Sequence, residues 1–202
     1  MVQNVKEVPY GVSDFRTMVE QNLYYVDKTM YIPELEKQAR YIIFIRPRRF
    51  GKSVFLGMLH SYYDCRTKDK FDQWFGNLWI GKHPTPSRGR YQVLFLDFSM
   101  VGGNIDELEE KFNFYLGVQL DGFVRYYDEH YSDSIKQSVY AAKDAGGKLA
   151  IIQNEAKAKG YPLYLIIDEY DNFTNTVLNE RGEKVYWAIT HAEGFYRDIF
   201  KK

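Results

Sequence analysis

The sequence has 202 residues, which is enough for one α/β domain of ordinary size, alone or with a small extension. Lysine plus arginine and aspartate plus glutamate each number 27, so the formal net charge of zero argues against a domain that holds nucleic acid by bulk positive charge. The single cysteine, Cys65, excludes a disulfide within the chain and fits a cytoplasmic location. The longest apolar runs, 42–45 and 163–167, are far shorter than the roughly 20 residues that cross a bilayer, so we expect no membrane partner.

The first 40 residues are predicted to form an N-terminal extension and a helix that flank a core over residues 41–202. In this extension, Asp27 or Thr29 has the side chain of a helix N-cap, and Ile32 and Leu35 have the spacing of one helix face. We therefore expect a helix that begins here and runs toward Gln38.

The segment 41–64 predicts a strand, a loop and a helix in succession. Residues 41–45 read YIIFI, a continuous apolar and β-branched run that is typical of a strand buried on both faces. The following residues up to Gly51 are polar, and apolar residues then recur at helical spacing from Lys52 to Asp64.

Two more strands and several helices are predicted beyond this segment. Buried strands are expected at 93–96 and 163–167, and helices at 71–75, at 106–127, at 132–160 with a break at Gly146–Gly147 and a stop at Gly160, and at 183–200. Strands that alternate with helices indicate an α/β fold with a parallel sheet. We expect a three-layer P-loop NTPase domain, and one cut before its last strands, because three strands are visible where such a sheet has five.

The central motif is residues 46–53, which read RPRRFGKS. A phosphate-binding loop requires a glycine, four residues, and then Gly-Lys-Ser or Gly-Lys-Thr. Gly51, Lys52 and Ser53 match this pattern, and Arg46 replaces the first glycine. The glycine lets the backbone approach the phosphates, the lysine brings a positive charge to them, and the serine hydroxyl is a ligand for Mg²⁺.

Three neighbours of this match complete the predicted nucleotide-binding set. They are Arg49, Phe50 and Val54, which flank the Gly-Lys-Ser sequence. For Arg49, contact with phosphate and simple solvation of a loop cation are equally open.

A pair of acids follows the last predicted strand. Asp168 and Glu169 come directly after the apolar run 163–167, at the carboxyl end of the strand, where open α/β sheets bind their ligands. We expect Asp168 to hold Mg²⁺ together with Ser53, and Glu169 to act as the catalytic base toward water.

Three segments together resemble the bacterial AAA-ATPase-like family. They are residues 25–29 (YVDKT), 46–53 (RPRRFGKS) and 167–171 (IDEYD), and the resemblance extends from about Pro9 to Lys202. The arginine-rich loop is usual in this family, so Arg46 departs from the general phosphate-loop pattern but not from the family's. The resemblance implies ATP and Mg²⁺ as cofactors and ATP hydrolysis by the intact protein.

The resemblance also implies features around the core. By analogy with related ATPases, the segment from Tyr25 to Lys28, which includes Asp27, would line the base pocket, although a plain helix cap explains the segment equally well. Family members often continue into a PD-D/E-x-K nuclease-like region, and nothing in this sequence matches it. We therefore expect a nucleic-acid partner only through such a downstream region, and weak turnover or none by this chain alone.

Two other functions remain open from the sequence. One is a nucleotide-binding regulatory module that controls a partner or a downstream domain and turns over little nucleotide. The other is a GTPase, although the guanine-reading Asn/Thr-Lys-x-Asp motif is absent from the sequence. Because a strand is missing from the expected sheet, we also expect self-association or a rearranged sheet.

Overall fold

The computed structural model describes residues 5–38, 41–47, 49–101, 107–170 and 178 of the chain. By its internal contacts, the chain divides into two compact units, Met1–Val93 and Leu94–Lys202. Arg48, Asp171 and the predicted helix 183–200 lie outside the described residues.

The first unit is built from short helices around an aromatic core. These helices are α1 (Phe15–Glu20), α2 (Ile32–Glu36), α3 (Lys52–Tyr63), α4 (Phe71–Phe75) and α5 (Trp79–Lys82), with 3₁₀ turns at Thr29–Tyr31 and Cys65–Lys70. Phe15 and Phe75 are fully buried, and their rings stack with centroids 5.1 Å apart. The ring of Tyr62 meets Phe75 edge-on at 5.6 Å. Three elements are thus joined by one cluster of rings, which is the apolar burial that stabilises such short helices.

Helix α3 confirms the helix predicted after the phosphate loop. It begins at Lys52 and ends at Tyr63, one residue before the predicted end. Phe55, Met58 and Leu59 are buried on its inner face, as their helical spacing predicts. The helix predicted at 71–75 is also confirmed, as α4.

The prediction of a buried strand at 41–45 is wrong. Residues 42–47 have no regular secondary structure, and the side chains of Ile43 and Ile45 are 76% and 79% exposed. Phe44 is attached to the unit by stacking on Phe55, with ring centroids 4.9 Å apart. A strand needs a neighbour to pair with its backbone, and residues 41–47 pair with no strand in the described part of the chain. An apolar, β-branched run alone does not supply that partner.

The second unit contains three longer helices and most of the sheet. The helices are α6 (Leu108–Tyr126), α7 (Asp133–Ala141) and α8 (Ala145–Ala158). Ser132 and Asp144 cap α7 and α8 by accepting backbone N–H groups with their side chains. The predicted break at Gly146–Gly147 is therefore misplaced: the chain breaks at 142–144, and the two glycines lie in the first turn of α8. The predicted stop at Gly160 agrees with its positive φ of 74°.

The sheet has two parallel strands in the described residues, β1 (Gln92–Asp97) and β2 (Leu163–Asp168). Both were predicted to within one or two residues. Strand β1 is buried along most of its length, but β2 is not: Ile166 is 4% exposed and Leu165 is 43% exposed. The fold is thus mixed, with a small parallel sheet that is compatible with an α/β class. The three-layer P-loop arrangement stays a prediction.

Across the described ranges, no helix has the length and apolarity to cross a membrane.

Candidate functional site

The turn before helix α3 has the backbone of a tight loop. Arg49 and Gly51 both have positive φ, 67° and 76°, and Gly51 is the N-cap residue of the helix. The carbonyl of Gly51 accepts the N–H of Phe55 at 3.0 Å, which starts the helical ladder. The first turn of α3 carries no acidic residue, and the positive end of the helix dipole therefore forms a suitable environment for an anion.

A cavity of about 400 Å³ lies beside this turn, within the first unit. Its walls are formed by Pro9, Met18, Tyr24, Tyr25, Val26, Lys28, Arg49, Phe50, Gly51, Val54 and Phe55. Two cations and several aromatic rings are present among these residues, and no carboxylate is. The cavity therefore offers apolar surface and positive charge next to the start of a helix, a combination that suits a ligand with a flat ring and anionic groups.

The segment 25–29 is held in place mainly by Asp27. Its Oδ1 accepts the backbone N–H and the hydroxyl of Thr29 at 2.8 and 2.7 Å. Its Oδ2 accepts the backbone N–H of Trp79 at 2.7 Å, at the start of α5. Thr29 is fully buried, and its hydroxyl accepts the N–H of Ile80 at 3.1 Å. Asp27 thus closes a turn with Thr29 and cross-links it to α5, and it is not part of the cavity wall. The N-cap residue of α2 is Tyr31, so the prediction that Asp27 or Thr29 caps this helix is wrong, and the helix ends at Glu36 before reaching Gln38.

Tyr25 connects this segment to the core. Its ring meets Phe15 edge-on with centroids 5.3 Å apart, and it also lines the cavity. Burial, and then the negative charge of Asp27, raise the pKa of the Tyr25 phenol well above its ordinary value, although a backbone N–H from Lys28 lowers it. The Tyr25 hydroxyl is buried and makes no hydrogen bond of normal geometry within the described residues. The phenol is therefore neutral, and its contribution to the cavity is its ring.

The predicted acids lie at the end of β2, in the second unit. Asp168 is 4% exposed, and its Oδ1 accepts the backbone N–H of Glu169 at 2.9 Å. Glu169 is half-buried and has a φ of 52°, an uncommon conformation for a residue with a side chain. Residues with such backbone strain cluster at active sites, ligand-binding sites and switch regions.

The oxygen ligands proposed for Mg²⁺ suit that ion chemically, because hard cations prefer hydroxyl and carboxylate oxygens. The Ser53 hydroxyl and the Asp168 carboxylate belong to the first and the second unit, respectively. Within the described ranges, no group of three or more His, Cys, Asp and Glu side chains is placed to hold a metal.

The structure brings together some of the predicted nucleotide-binding residues. Those that line the cavity are Tyr25, Arg49, Phe50, Gly51 and Val54. Lys52 and Ser53 follow Gly51 as the first two residues of α3 and are half-buried, but they do not form the cavity wall. 

Sequence reasoning did not assign Lys28 a place at the phosphate turn. It lies 23 positions before Gly51, and no periodicity links the two residues. No local pattern in the sequence therefore signals the approach of Lys28 to the turn.

Comparison with known proteins identified a family and a relative. A family model described as a predicted AAA-ATPase matches residues 9–202. Over 85 residues, the chain is 35% identical to a protein of Azotobacter chroococcum mcd 1 that is described as an uncharacterized protein in the vnfD 5′ region. That match covers 39% of this chain, and the chain spans 16% of the length of that relative. No solved structure matches the chain significantly.

Proposed function

The chain belongs to the AAA-ATPase-like family, and on that premise we propose that it binds Mg-ATP at the turn 49–53 and that the intact protein hydrolyses it. The observation that carries this proposal is the cavity beside the turn. Tyr24, Tyr25 and Phe50 supply aromatic surface for a base, and Lys28 and Arg49 supply positive charge for phosphates. The start of α3, which has no acid in its first turn, is adjacent.

The roles proposed for the polar residues follow from their chemistry. Lys52 neutralises charge on the β- and γ-phosphates, and the backbone N–H groups at the start of α3 bind phosphate oxygens. Ser53 and Asp168 hold Mg²⁺, which would supply charge neutralisation at the phosphates when it is bound. Glu169 orients the attacking water and accepts its proton.

Displacement of a fluorescent ATP analogue by unlabelled nucleotides tests this proposal. ATP and ADP with Mg²⁺ should displace the analogue, and GTP should do so less well, because the sequence has no guanine-reading motif. Removal of Mg²⁺ with a chelator should weaken the binding of ATP. The exposed Lys82, which does not line the cavity, provides a control. Lys82→Ala should bind as the parent does.

Two results would change the proposal. Equal displacement by ATP and GTP would remove the preference for adenine, and no binding of the analogue would remove nucleotide binding altogether. An intact protein that binds Mg-ATP and releases no phosphate would instead fit the regulatory module.

A further inference from the structure

The ammonium group of Lys28 lies directly at the phosphate turn. A Cβ atom built on Gly51 would be 3.4 Å from Lys28 Nζ, and both residues line the same cavity. Gly51 is the N-cap of α3, so the ammonium is within a few ångströms of the helix start. The segment 25–29 therefore brings a second lysine to the turn that already carries Lys52.

The backbone of Lys28 is held firmly on both sides. The preceding residue, Asp27, is bound to Thr29 and to Trp79 through its two carboxylate oxygens. The carbonyl of Lys28 accepts the N–H of Tyr31 at 3.2 Å, which closes the 3₁₀ turn. Because these hydrogen bonds already fix the backbone, only the side-chain torsions of Lys28 remain to be ordered when a ligand binds. The entropic cost of a contact between Lys28 and the ligand is therefore lower.

Within the described part of the chain, Lys28 forms no ion pair with a carboxylate. No residue that lines the cavity is acidic, and no carboxylate of the described residues pairs with the Lys28 ammonium. The nearest acid in sequence, Asp27, has both oxygens engaged by N–H groups of the protein. Lys28, Arg49 and the positive end of α3 thus place positive charge at one cavity. An anion bound there would be attracted by all three.

We propose that Lys28 is a phosphate-binding residue: its ammonium group, supplied by the segment before the phosphate loop, contacts a phosphate of the bound nucleotide beside Gly51. This inference rests on the proposed nucleotide binding and adds a residue to it. Asp27 and Thr29 are positioning residues, since they fix the backbone from which Lys28 extends. In this proposal, the role of the YVDKT segment is to hold the Lys28 ammonium at the turn that contains Gly51.

The test compares Lys28→Gln with the parent and with Lys82→Gln, which removes the same charge from an exposed site in the same unit. Loss of one charge-assisted contact should weaken Mg-ATP and Mg-ADP binding about 10-fold or more. Adenosine, which has no phosphate, should bind equally to all three proteins. Lys28→Arg keeps the charge and should retain most of the affinity. The melting temperature of each variant shows whether it is folded.

A measurement on the salt dependence separates a phosphate contact from a structural role. If Lys28 contacts phosphate, the affinity of Lys28→Gln for ATP should fall less steeply with added salt than that of the parent. Parent-like ATP affinity in a folded Lys28→Gln would overturn the inference and leave the proposed nucleotide binding intact, whereas a parent protein that binds no nucleotide would overturn both. If Lys28→Gln does not fold, Lys28→Arg becomes the decisive variant. The inference would also be overturned if folded Lys28→Arg lost much of its affinity for ATP while the dependence of that affinity on salt stayed the same as in the parent.

Discussion

The Oδ2 atom of Asp27 accepts the backbone N–H of Trp79 at 2.7 Å, across 52 positions of the sequence. This bond joins the segment before the phosphate loop to the start of α5. The other carboxylate oxygen accepts two bonds from Thr29, so one side chain organises both elements.

Replacement of Asp27 by alanine should lower the free energy of unfolding by about 2 kcal/mol, because three donors lose a charged acceptor. Urea unfolding at neutral pH measures this change. Asp69→Ala is the matched control, since Asp69 is an exposed acid of the same unit, and it should change the stability by less than about 0.5 kcal/mol. Equal effects of the two substitutions would mean that the Asp27 bonds contribute little to stability.

Replacement of Gly51 by alanine should destabilise the protein by about 1–2 kcal/mol, because a side chain at a φ of 76° is strained. The new Cβ would also lie 3.4 Å from Lys28 Nζ, so nucleotide affinity should fall as well. Gly122→Ala is the control: it lies within α6 with open space around its Cβ position, and alanine there should stabilise the helix by about 0.5–1 kcal/mol. Differential scanning calorimetry distinguishes the opposite signs, and a stabilising Gly51→Ala would contradict the left-handed turn.

Because of the Cys65 thiol, the free energy of unfolding should decrease as the pH rises into the alkaline range. Burial, and then the charge of Asp64, raise its pKa from 9.0 to about 11. The unfolded chain therefore loses the thiol proton above pH 9, while the folded chain keeps it until about pH 11. The contribution of the protonated thiol to the stability of the folded state is therefore complete below pH 9 and is lost as the pH rises through about 11.

Urea midpoints at pH 8 and pH 10 check this prediction in the parent and in Cys65→Ala. The parent should lose more stability between the two pH values than the variant does. Parallel losses would show that Cys65 is not the group responsible. The same burial predicts slow reaction of the folded protein with a thiol reagent at pH 8 and fast reaction in urea.

Replacement of Glu169 by glutamine in the intact protein should lower ATP turnover by about 10²-fold or more, the range expected for loss of a general base. Affinity for Mg-ATP should stay close to that of the parent, because the side chain keeps its shape. Phosphate release under saturating ATP measures the turnover. Hydrolysis at the parent rate would contradict the catalytic role proposed for Glu169.

Local sequence patterns predicted most of the helices and strands and identified the phosphate-loop motif. Helix α3 follows from apolar spacing after Gly51, and β2 follows from the apolar run that ends at Asp168, because each pattern is contained in a short stretch of neighbouring residues. The buried strand at 41–45 failed for the opposite reason. Strand pairing depends on a partner distant in sequence, and the exposure of Ile43 and Ile45 could not be predicted from their apolar, β-branched side chains.

At the candidate site too, local sequence patterns did not reveal contacts between residues that are distant in the sequence. The motif around Gly51 could be recognised because its residues are contiguous. The approach of Lys28 to Gly51 joins residues that are 23 positions apart, and no local pattern encodes it. The position of the break before α8 was missed because Gly146 and Gly147 were taken as breakers, whereas Asp144 caps the helix that contains them.

The most direct test of nucleotide binding at this turn is calorimetric titration of Mg-ATP into the parent protein and into Lys52→Ala. The account predicts saturable binding by the parent, and a large loss of affinity by a variant whose melting temperature stays close to that of the parent. Equal affinities of the two folded proteins for Mg-ATP would contradict the assignment of residues 51–53 as the phosphate-binding turn.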